Sequence, residues 1–373
     1  MDRFSTLYRI EAADEEDARA RALDIALEQT LEIPRDAVPK GYIEDTMLGR
    51  LEDLAASGDG AWHARISYSD DDIGGDFLQL LNIIFGNSSI KAGVKALSIE
   101  LSDGIRTICP GPRFGAEGLR TRAGITSGPL LMSAIKPVGL PTRDLARLAH
   151  DFALGGMHYV KDDHGLASQA TAPFSERLLA CVDAVAEANA RSGGHCSFVP
   201  NITASGGATL DNAHRAKLAG AGAVMVAPAL AGMDVVYQLS RDPDFGLPIV
   251  THPAFGGANV VAGSSGFSHA LYYGQIHRLM GADAVVFPNF GGRFGFSQAE
   301  CQSIARAGLG PMDHLKPMIP APGGGMSIDK VDIMQSAYGD DIMYLIGGAL
   351  LRAPEGVVAA TQALVEKVRG TSS

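Results

Sequence analysis

The first hundred residues carry the apolar spacing of both strands and helices. Strand patterns cover residues 3–12, 61–69 and 94–101, the middle one by alternation of apolar and polar side chains. Helical spacing covers residues 14–30 and 75–86, and the first helix begins with acidic residues, which the helix dipole favours. This order predicts a small α+β domain in which a sheet carries two helices on one face.

After a connector at residues 109–129 that contains proline and glycine, short apolar runs alternate with amphipathic helices. The helical stretches include residues 142–156, 173–193 and 353–370. Parallel strands buried on both faces read as continuous apolar runs. Eight runs fit this description, at residues 130–136, 157–163, 196–203, 223–229, 248–254, 284–289, 317–325 and 343–348.

Eight strand–helix units in about 250 residues match the repeat and the size of a TIM barrel. A doubly wound parallel sheet is the alternative, and the even spacing of the units favours closure into a barrel. We therefore predict an α/β protein with two domains. A ferredoxin-like α+β domain covers residues 1–125, and a TIM (β/α)8 barrel covers residues 126–373.

Charge and composition narrow the class of protein. The formal net charge is −11, and binding to a phosphate backbone needs a basic face, so we expect no nucleic-acid partner. No run of about 18 apolar residues predicts a membrane span. The four cysteines form no CxxC pair and the N-terminus has no apolar signal core, so we expect a cytoplasmic protein that acts on small molecules.

Polar residues and glycines follow the apolar runs, at the strand ends where a TIM barrel holds its active site. The densest group is Lys-Asp-Asp-His at residues 161–164. An ordinary loop would also be polar, but polar groups placed at random would lie at both rims of the barrel. The other residues of this kind are Lys136, Asn201, His252, Gly323, Gly324, Gly325, Gly347 and Gly348.

Two of these groups suggest phosphate and metal chemistry. Glycines after the seventh and eighth runs stand where this fold binds phosphate, although they could also serve only to turn the chain. Asp163 and His164 can ligate a cation such as Mg²⁺, whereas a protonated Lys161 would repel it. A neutral lysine amine can add CO₂ and become a carbamate, which is a carboxylate-like ligand.

Lys136 and His252 are candidates for proton transfer, because burial near a metal lowers the pKa of a lysine towards useful values. The alternatives are a salt bridge at the rim for Lys136 and a core position for His252. Seven other histidines are expected to be structural or surface residues: His150, His158, His195, His214, His269, His277 and His314.

The order of these motifs resembles that of the ribulose bisphosphate carboxylase (RuBisCO) large-chain superfamily. GPLLMSAIKPVGL at 128–140 resembles the strand-one motif with its catalytic lysine, and GGMHYVKDDHGLASQ at 155–169 resembles the motif of the carbamylated lysine and metal ligands. The resemblance covers most of the chain. Further matching segments are ALEQT at 26–30, FGNSS at 85–89, NITA at 201–204, TH at 251–252, PAPGGG at 320–325 and LIGG at 345–348.

This resemblance implies an α+β domain followed by a TIM barrel, and a role for each motif. Lys161, as a carbamate formed with CO₂, would hold one Mg²⁺ per site together with Asp163 and His164. Lys136 would move the proton, and His252 would face the substrate. One phosphate would lie against Gly324, Gly325, Gly347, Gly348 and Arg293. In a homodimer or larger assembly, Glu28 and Asn87 would come from the partner chain.

Several positions depart from the pattern of the family. His164 stands where the third metal ligand is normally glutamate, and Val138 stands in place of a basic residue. Pro253 replaces an arginine, and the histidine of the sixth barrel strand is absent. In the family, the basic residue, the arginine and the histidine hold a second phosphate. Without them a bisphosphate would lack binding partners in this chain. The chain thus resembles a RuBisCO-like protein rather than a carboxylase.

The reaction implied is enolisation of a phosphorylated ketose. The first candidate is 5-methylthioribulose-1-phosphate isomerase of methionine salvage, which moves a carbonyl by proton transfer through a metal-bound enediolate. The alternative is a decarboxylase, or a transcarboxylase/hydrolase, of 3-oxo-isoapionate 4-phosphate. A non-catalytic binding protein is the third possibility, and the presence of Lys136, Lys161 and Asp163 together argues against it.

Overall fold

The computed structural model describes residues 2–371. The N-terminal part begins with a strand–helix–strand–strand–helix–strand unit, followed by two short helices. Its elements are β1 (Arg3–Glu11), α1 (Glu15–Glu28), β2 (Arg50–Ala56), β3 (Ala61–Ser69), α2 (Phe77–Phe85), β4 (Val94–Glu100), α3 (Asp103–Ile108) and α4 (Gly115–Arg122).

The N-terminal sheet has the strand order β4-β1-β3-β2, with β1 antiparallel to both β3 and β4. This is the order of a ferredoxin-like domain, as predicted. The buried face of β1 carries Phe4, Tyr8 and Ile10, and the two helices pack on it. The hydroxyl of Tyr8 donates a hydrogen bond to the carbonyl of Ile84 in α2 (2.5 Å), which fixes this helix against the sheet.

Strand β2 was not predicted from the sequence, and its pairing explains why. Only Leu51 and Leu54 are partly buried, and the register between β2 and β3 shifts between Leu51 and Asp53. This bulge puts two residues, instead of one, between the two apolar side chains, so the alternation that identifies a strand is lost.

The second part contains eight parallel strands that alternate with helices, as predicted. The elements are β5 (Leu130–Ile135), α5 (Thr142–Leu154), β6 (Tyr159–Asp162), α6 (Phe174–Ser192), β7 (Ser197–Val199), α7 (Ala208–Leu218), β8 (Val224–Val226), α8 (Pro228–Ala231), α9 (Met233–Arg241), β9 (Ile249–Thr251), β10 (Gly266–Phe267), α10 (His277–Leu279), β11 (Ala284–Pro288), α11 (Gln298–Leu309), β12 (Ile319–Gly323), α12 (Val331–Tyr338), β13 (Met343–Leu345), α13 (Gly348–Leu351) and α14 (Val357–Thr371).

The barrel consists of two four-stranded halves, β13-β5-β6-β7 and β8-β9-β11-β12. Met225 joins them at one seam, because its N–H donates to Pro200 (2.9 Å) and its carbonyl accepts from Ile202 (2.9 Å). At the other seam a Cβ on Gly323 would lie 2.8 Å from the Leu345 side chain, so glycine permits the close approach of β12 and β13. The short strand β10 leaves the barrel and pairs with β4 of the N-terminal sheet.

The connector that the sequence analysis left without a helix contains α4, which closes the lower end of the barrel. Leu119 packs among the interior side chains, and its carbonyl accepts from the Tyr159 hydroxyl (2.7 Å). The buried carboxylate of Asp283 accepts from the N–H groups of Phe114 and Gly115 (2.8 and 2.7 Å), at the start of α4. The N-terminal end of the barrel is thereby filled, and only the opposite end is open.

Two further observations concern the whole described chain. Within residues 2–371 no helix is long and apolar enough to cross a membrane. The four cysteines are buried and unpaired, in agreement with the absence of a disulfide pattern in the sequence.

Candidate active site

A cavity of about 1030 Å³ opens at the C-terminal ends of the barrel strands. Its wall is made by the loops after β5, β6, β9, β11, β12 and β13. Eleven residues that the sequence analysis singled out as candidate site residues line it together: Lys136, Lys161, Asp163, His164, His252, Arg293, Gly323, Gly324, Gly325, Gly347 and Gly348.

Lys161 is the most deeply buried charged group of the cavity, with 2% of its surface exposed. It lies in β6, where both neighbouring strands enclose it, and its Nζ donates to the carbonyl of Asp162 (2.9 Å). Burial lowers the pKa of Lys161 to about 8, while the negative charge of Asp163 raises it and the positive charge of Lys136 lowers it. A sizeable fraction of this amine is therefore neutral near neutral pH, which is the form that reacts with CO₂.

Asp162 is held away from the cavity by a buried ion pair. Its oxygens accept from Arg177 Nε (3.1 Å) and Nη2 (3.2 Å), and from the N–H of Asn201 (3.0 Å). Arg177 also donates to the carbonyls of Ala172 and Ala167, so it fixes the segment between β6 and α6. Asn201 has this structural role rather than a place on the cavity wall.

Lys136 and Asp163 form the polar floor of the cavity. The Nζ of Lys136, directly after β5, lies 3.4 Å from Asp163 Oδ1, directly after β6. A Cβ on Gly347 would lie 3.8 Å from the same Nζ, so the amine lies between the carboxylate and the loop after β13. A substrate carbon in this gap would be within reach of the lysine.

His164 and His252 stack on each other with their ring centres 4.6 Å apart and their planes 13° apart. Burial lowers the pKa of both rings, and that of His252 well below its usual value. The Nδ1 of His252 accepts from the N–H of Ala254 (3.2 Å), so Nε2 carries the proton of the neutral ring. His252 is consequently a hydrogen-bond donor towards a substrate oxygen, and a poor base.

One end of the cavity, the glycine end, is formed by Gly324, Gly325, Gly347 and Gly348 with Arg293. Gly324 and Gly325 have φ angles of +88° and +98°, which favour glycine. In the described part of the chain, the N–H groups of Gly324, Gly325 and Gly347 have no hydrogen-bond acceptor. Free amides beside a guanidinium are suited to an anion such as phosphate.

The other end, the apolar end, is formed by Phe255, Val261, Tyr273 and Phe296. Phe255 and Val261 follow β9, the fifth strand of the barrel, which lies across from β5. Their exposed fractions are 77% and 68%, unusually high for large apolar side chains. The lysines and arginines of the cavity wall are Lys136, Lys161, Arg293 and Arg352, and none of them belongs to this end.

The side chains after β6 include possible ligands for a divalent cation. Asp163 and His164 are two ordinary ligands, and among residues 2–371 no group of three or more His, Cys, Asp and Glu side chains is placed to hold a metal ion. A carbamate on Lys161 would supply the third ligand. The donor set therefore fits a cation on condition that Lys161 is modified.

The chain is similar to proteins of a known family. Residues 115–305 match the family "ribulose bisphosphate carboxylase large chain, catalytic domain". The chain is 38% identical to the 5-methylthioribulose-1-phosphate isomerase of Rhodospirillum rubrum, over all of this chain and 98% of that protein. The chain belongs to the RuBisCO large-chain family. Within it, the similarity to RuBisCO-like proteins identifies the chain as one of these.

Solved structures agree with this placement of the RuBisCO-like protein. The crystal structure of a RuBisCO-like protein from Rhodopseudomonas palustris superposes with a TM-score of 0.89 at 37% identity, over 100% of this chain and 99% of that one. A dimeric archaeal RuBisCO from Hyperthermus butylicus gives a TM-score of 0.88 at 23% identity, over 99% and 90% of the two chains. The second match supports the fold alone.

Two predicted site residues of the RuBisCO-like protein lie outside its own cavity. Asn87 Nδ2 donates to Glu28 Oε1 (3.0 Å), so the N-terminal domain brings these two side chains together. Neither of them lines the cavity of the same chain. Their contribution to the site of a partner chain, which the resemblance implies, stays a prediction.

The sequence analysis missed several residues of the cavity wall. His269, which was assigned to the structural or surface histidines, lines the cavity with only 5% of its surface exposed, and its Nδ1 lies 3.6 Å from Glu300 Oε1. Arg352, directly after α13, lines the wall beside the glycine end. Arg352 could have been indicated only by its position, because it is a basic residue soon after the last pair of glycines. The apolar end comes from loops with no apolar periodicity and, for Tyr273, from a π-helix at residues 270–276.

The departures from the family pattern have visible consequences. Pro253 lines the cavity beside His252, where an arginine would have added a charge. Strand β11 presents Val286 and Phe287 to the cavity in place of a histidine. Val138 is 44% exposed beyond Lys136. An apolar surface therefore replaces groups that could bind a second anion.

Proposed function

We propose that this RuBisCO-like protein isomerises 5-methylthioribulose 1-phosphate to a 1-thiomethyl pentulose phosphate. The observation that carries the proposal is the polarity of the cavity, with an anion-binding glycine end and an apolar end whose wall contains no lysine or arginine. A substrate with one phosphate and one thiomethyl group matches both ends, and a bisphosphate would leave a charged group against Phe255 and Val261. The relative from Rhodospirillum rubrum with this name supports the same substrate.

The proton chemistry is assigned to Lys136. The glycine end and Arg293 would hold the phosphate, so that the carbon atoms next to it lie near Lys136 Nζ. Lys136 removes a proton from the hydroxyl-bearing carbon beside the carbonyl and returns it to the former carbonyl carbon, while the proton of that hydroxyl passes to the former carbonyl oxygen. The carbonyl thereby moves by one carbon, and a second such transfer moves it further along the chain. The Nε2–H of His252 donates to the oxygen on which negative charge develops.

The cation is assigned to Lys161, Asp163 and His164. The neutral Lys161 amine adds CO₂ and releases one proton, which converts it to an anionic carbamate. A bound divalent cation such as Mg²⁺ would supply Lewis acidity at a substrate carbonyl. Arg177, through Asp162, holds β6 so that these three side chains keep their relation to one another.

We further propose a cytoplasmic homodimer or larger assembly with shared sites. The support is that Glu28 and Asn87 form a pair in the N-terminal domain that no site of their own chain uses. The N-terminal domain of one chain would cover the cavity of the other and bring Glu28 to the bound substrate.

The experiment is a product analysis. The protein is incubated with Mg²⁺, bicarbonate and 5-methylthioribulose 1-phosphate, and the mixture is followed by ¹³C and ³¹P NMR. We expect a 1-thiomethyl pentulose phosphate as the product, with turnover reduced by about 10²–10⁴-fold in Lys136→Met. The matched control is Lys217→Met, which changes an exposed lysine on α7 and should retain turnover.

A second arm of the experiment offers 3-oxo-isoapionate 4-phosphate instead. Release of CO₂, or cleavage to phosphoglycerate and glycolate, together with no change in the thiomethyl substrate, would replace the isomerase by a decarboxylase or hydrolase. Binding of both compounds without turnover of either would identify a non-catalytic protein.

A further inference from the structure

The cation site at the end of β6 has only one free carboxylate. Both oxygens of Asp162 are occupied by Arg177 and by the N–H of Asn201, and this residue is fully buried. The donors that remain towards the cavity are the carboxylate of Asp163, the imidazole of His164 and the amine of Lys161. One of three donors is thus an aromatic nitrogen.

The position of His164 suits a ligand. Its Nδ1 lies 3.9 Å from Asp163 Oδ1. Two atoms that ligate one ion each lie about 2 Å from it, so they are no more than about 4 Å apart. The side chain of His164 is 54% exposed, and it can adjust without disturbing the core.

His252 is excluded as a second nitrogen ligand. Its ring is nearly parallel to that of His164 at 4.6 Å, and imidazole lone pairs lie in the plane of each ring, so both rings cannot direct a lone pair at one ion. The Nδ1 of His252 is in addition occupied by the N–H of Ala254. His164 is therefore the single aromatic nitrogen donor of the site.

We propose that His164 shifts the cation preference of this site from Mg²⁺ towards the transition metal ions Mn²⁺, Fe²⁺, Co²⁺ and Zn²⁺. Mg²⁺ favours oxygen ligands and octahedral geometry, whereas imidazole binds the later first-row ions more strongly. A neutral imidazole also makes the site one charge less anionic than a carboxylate would. The inference rests on the proposed function only in placing a divalent cation here.

The test compares wild type with His164→Glu, both in bicarbonate buffer and without substrate. Co²⁺ binding is measured from its visible absorption, and Mg²⁺ is titrated as a competitor. We expect the ratio of the Mg²⁺ to the Co²⁺ dissociation constant to be at least about tenfold smaller in His164→Glu than in wild type. Replacing a group that only contacts a metal ligand already lowers metal affinity by about 10–100-fold. The matched control is His214→Asn, which changes an exposed histidine on α7 and should leave this ratio unchanged.

A second measurement uses the wild-type protein alone, so it does not depend on the folding of a variant. Pulsed EPR of Mn²⁺ bound to the wild-type protein should show the nuclear coupling of a directly bound imidazole nitrogen. An unchanged ratio, or wild-type Mn²⁺ without nitrogen coupling, would overturn the proposal. A nitrogen-ligated cation in a protein that turns over no thiomethyl substrate would instead refute the proposed function and leave this inference standing.

Discussion

Replacement of Arg177 by methionine should destabilise the protein severely. The guanidinium is fully buried and makes two hydrogen bonds to Asp162 and two to the carbonyls of Ala172 and Ala167. Removing one partner of a buried ion pair costs about 3–5 kcal/mol, because the other charge is left without compensation. We expect the free energy of unfolding to fall by this amount.

The assay is equilibrium urea unfolding followed by circular dichroism. Arg19→Met is the matched control, because Arg19 pairs with Glu15 on the surface of α1, with side-chain exposures of 54% and 63%. That variant should lose no more than about 0.5 kcal/mol. The double variant Asp162→Asn with Arg177→Met should be more stable than Arg177→Met alone, because the orphaned charge is removed. A loss below about 1 kcal/mol in Arg177→Met would refute the reasoning.

Three further predictions concern Lys161 and the assembly. The folded-state pKa of Lys161, about 8, is below its unfolded value of about 10.4. Burial of the charged amine therefore lowers the free energy of unfolding by about 3 kcal/mol below pH 8, and this loss disappears as the pH rises to about 10.4. Lys161→Met should therefore be more stable than wild type at pH 7, and the difference should shrink across that pH range; parallel pH profiles of urea unfolding would contradict this. Chemical trapping and mass spectrometry should find a CO₂ adduct on Lys161 in wild type, and activity independent of CO₂ with no adduct would exclude the carbamate. Mixing Glu28→Gln with Lys161→Ala chains should restore part of the activity, and no recovery despite proven subunit exchange would count against shared sites.

The barrel could be predicted because its strands are buried on both faces. Each of the eight barrel strands lies within a predicted apolar run, for example Ile319–Gly323 within 317–325. The strand ends also indicated which polar residues share a cavity, because parallel strands have their C-terminal ends on one side. Lys136 after β5 and Asp163 after β6 were brought together in this way.

The parts that could not be predicted depend on contacts between distant segments. Helix α4 fills the barrel through side chains such as Leu119, and the sequence does not state what a short helix between domains will cover. His269 lies between the short strand β10 and a π-helix at residues 270–276, and no motif indicates that this segment reaches the cavity. Arg177 lies fifteen residues beyond Asp162, and only the fold shows that they pair.

The central claim is that Lys136 moves a proton on the carbon beside a substrate carbonyl. The most direct measurement is the exchange of that proton with solvent, followed by ¹H NMR of 5-methylthioribulose 1-phosphate in D₂O with Mg²⁺ and bicarbonate. We predict deuterium uptake in wild type and a rate about 10²–10⁴-fold lower in Lys136→Met, which is the usual contribution of a general acid–base group. Exchange at the wild-type rate in Lys136→Met, or no uptake by the wild-type protein, would contradict the account.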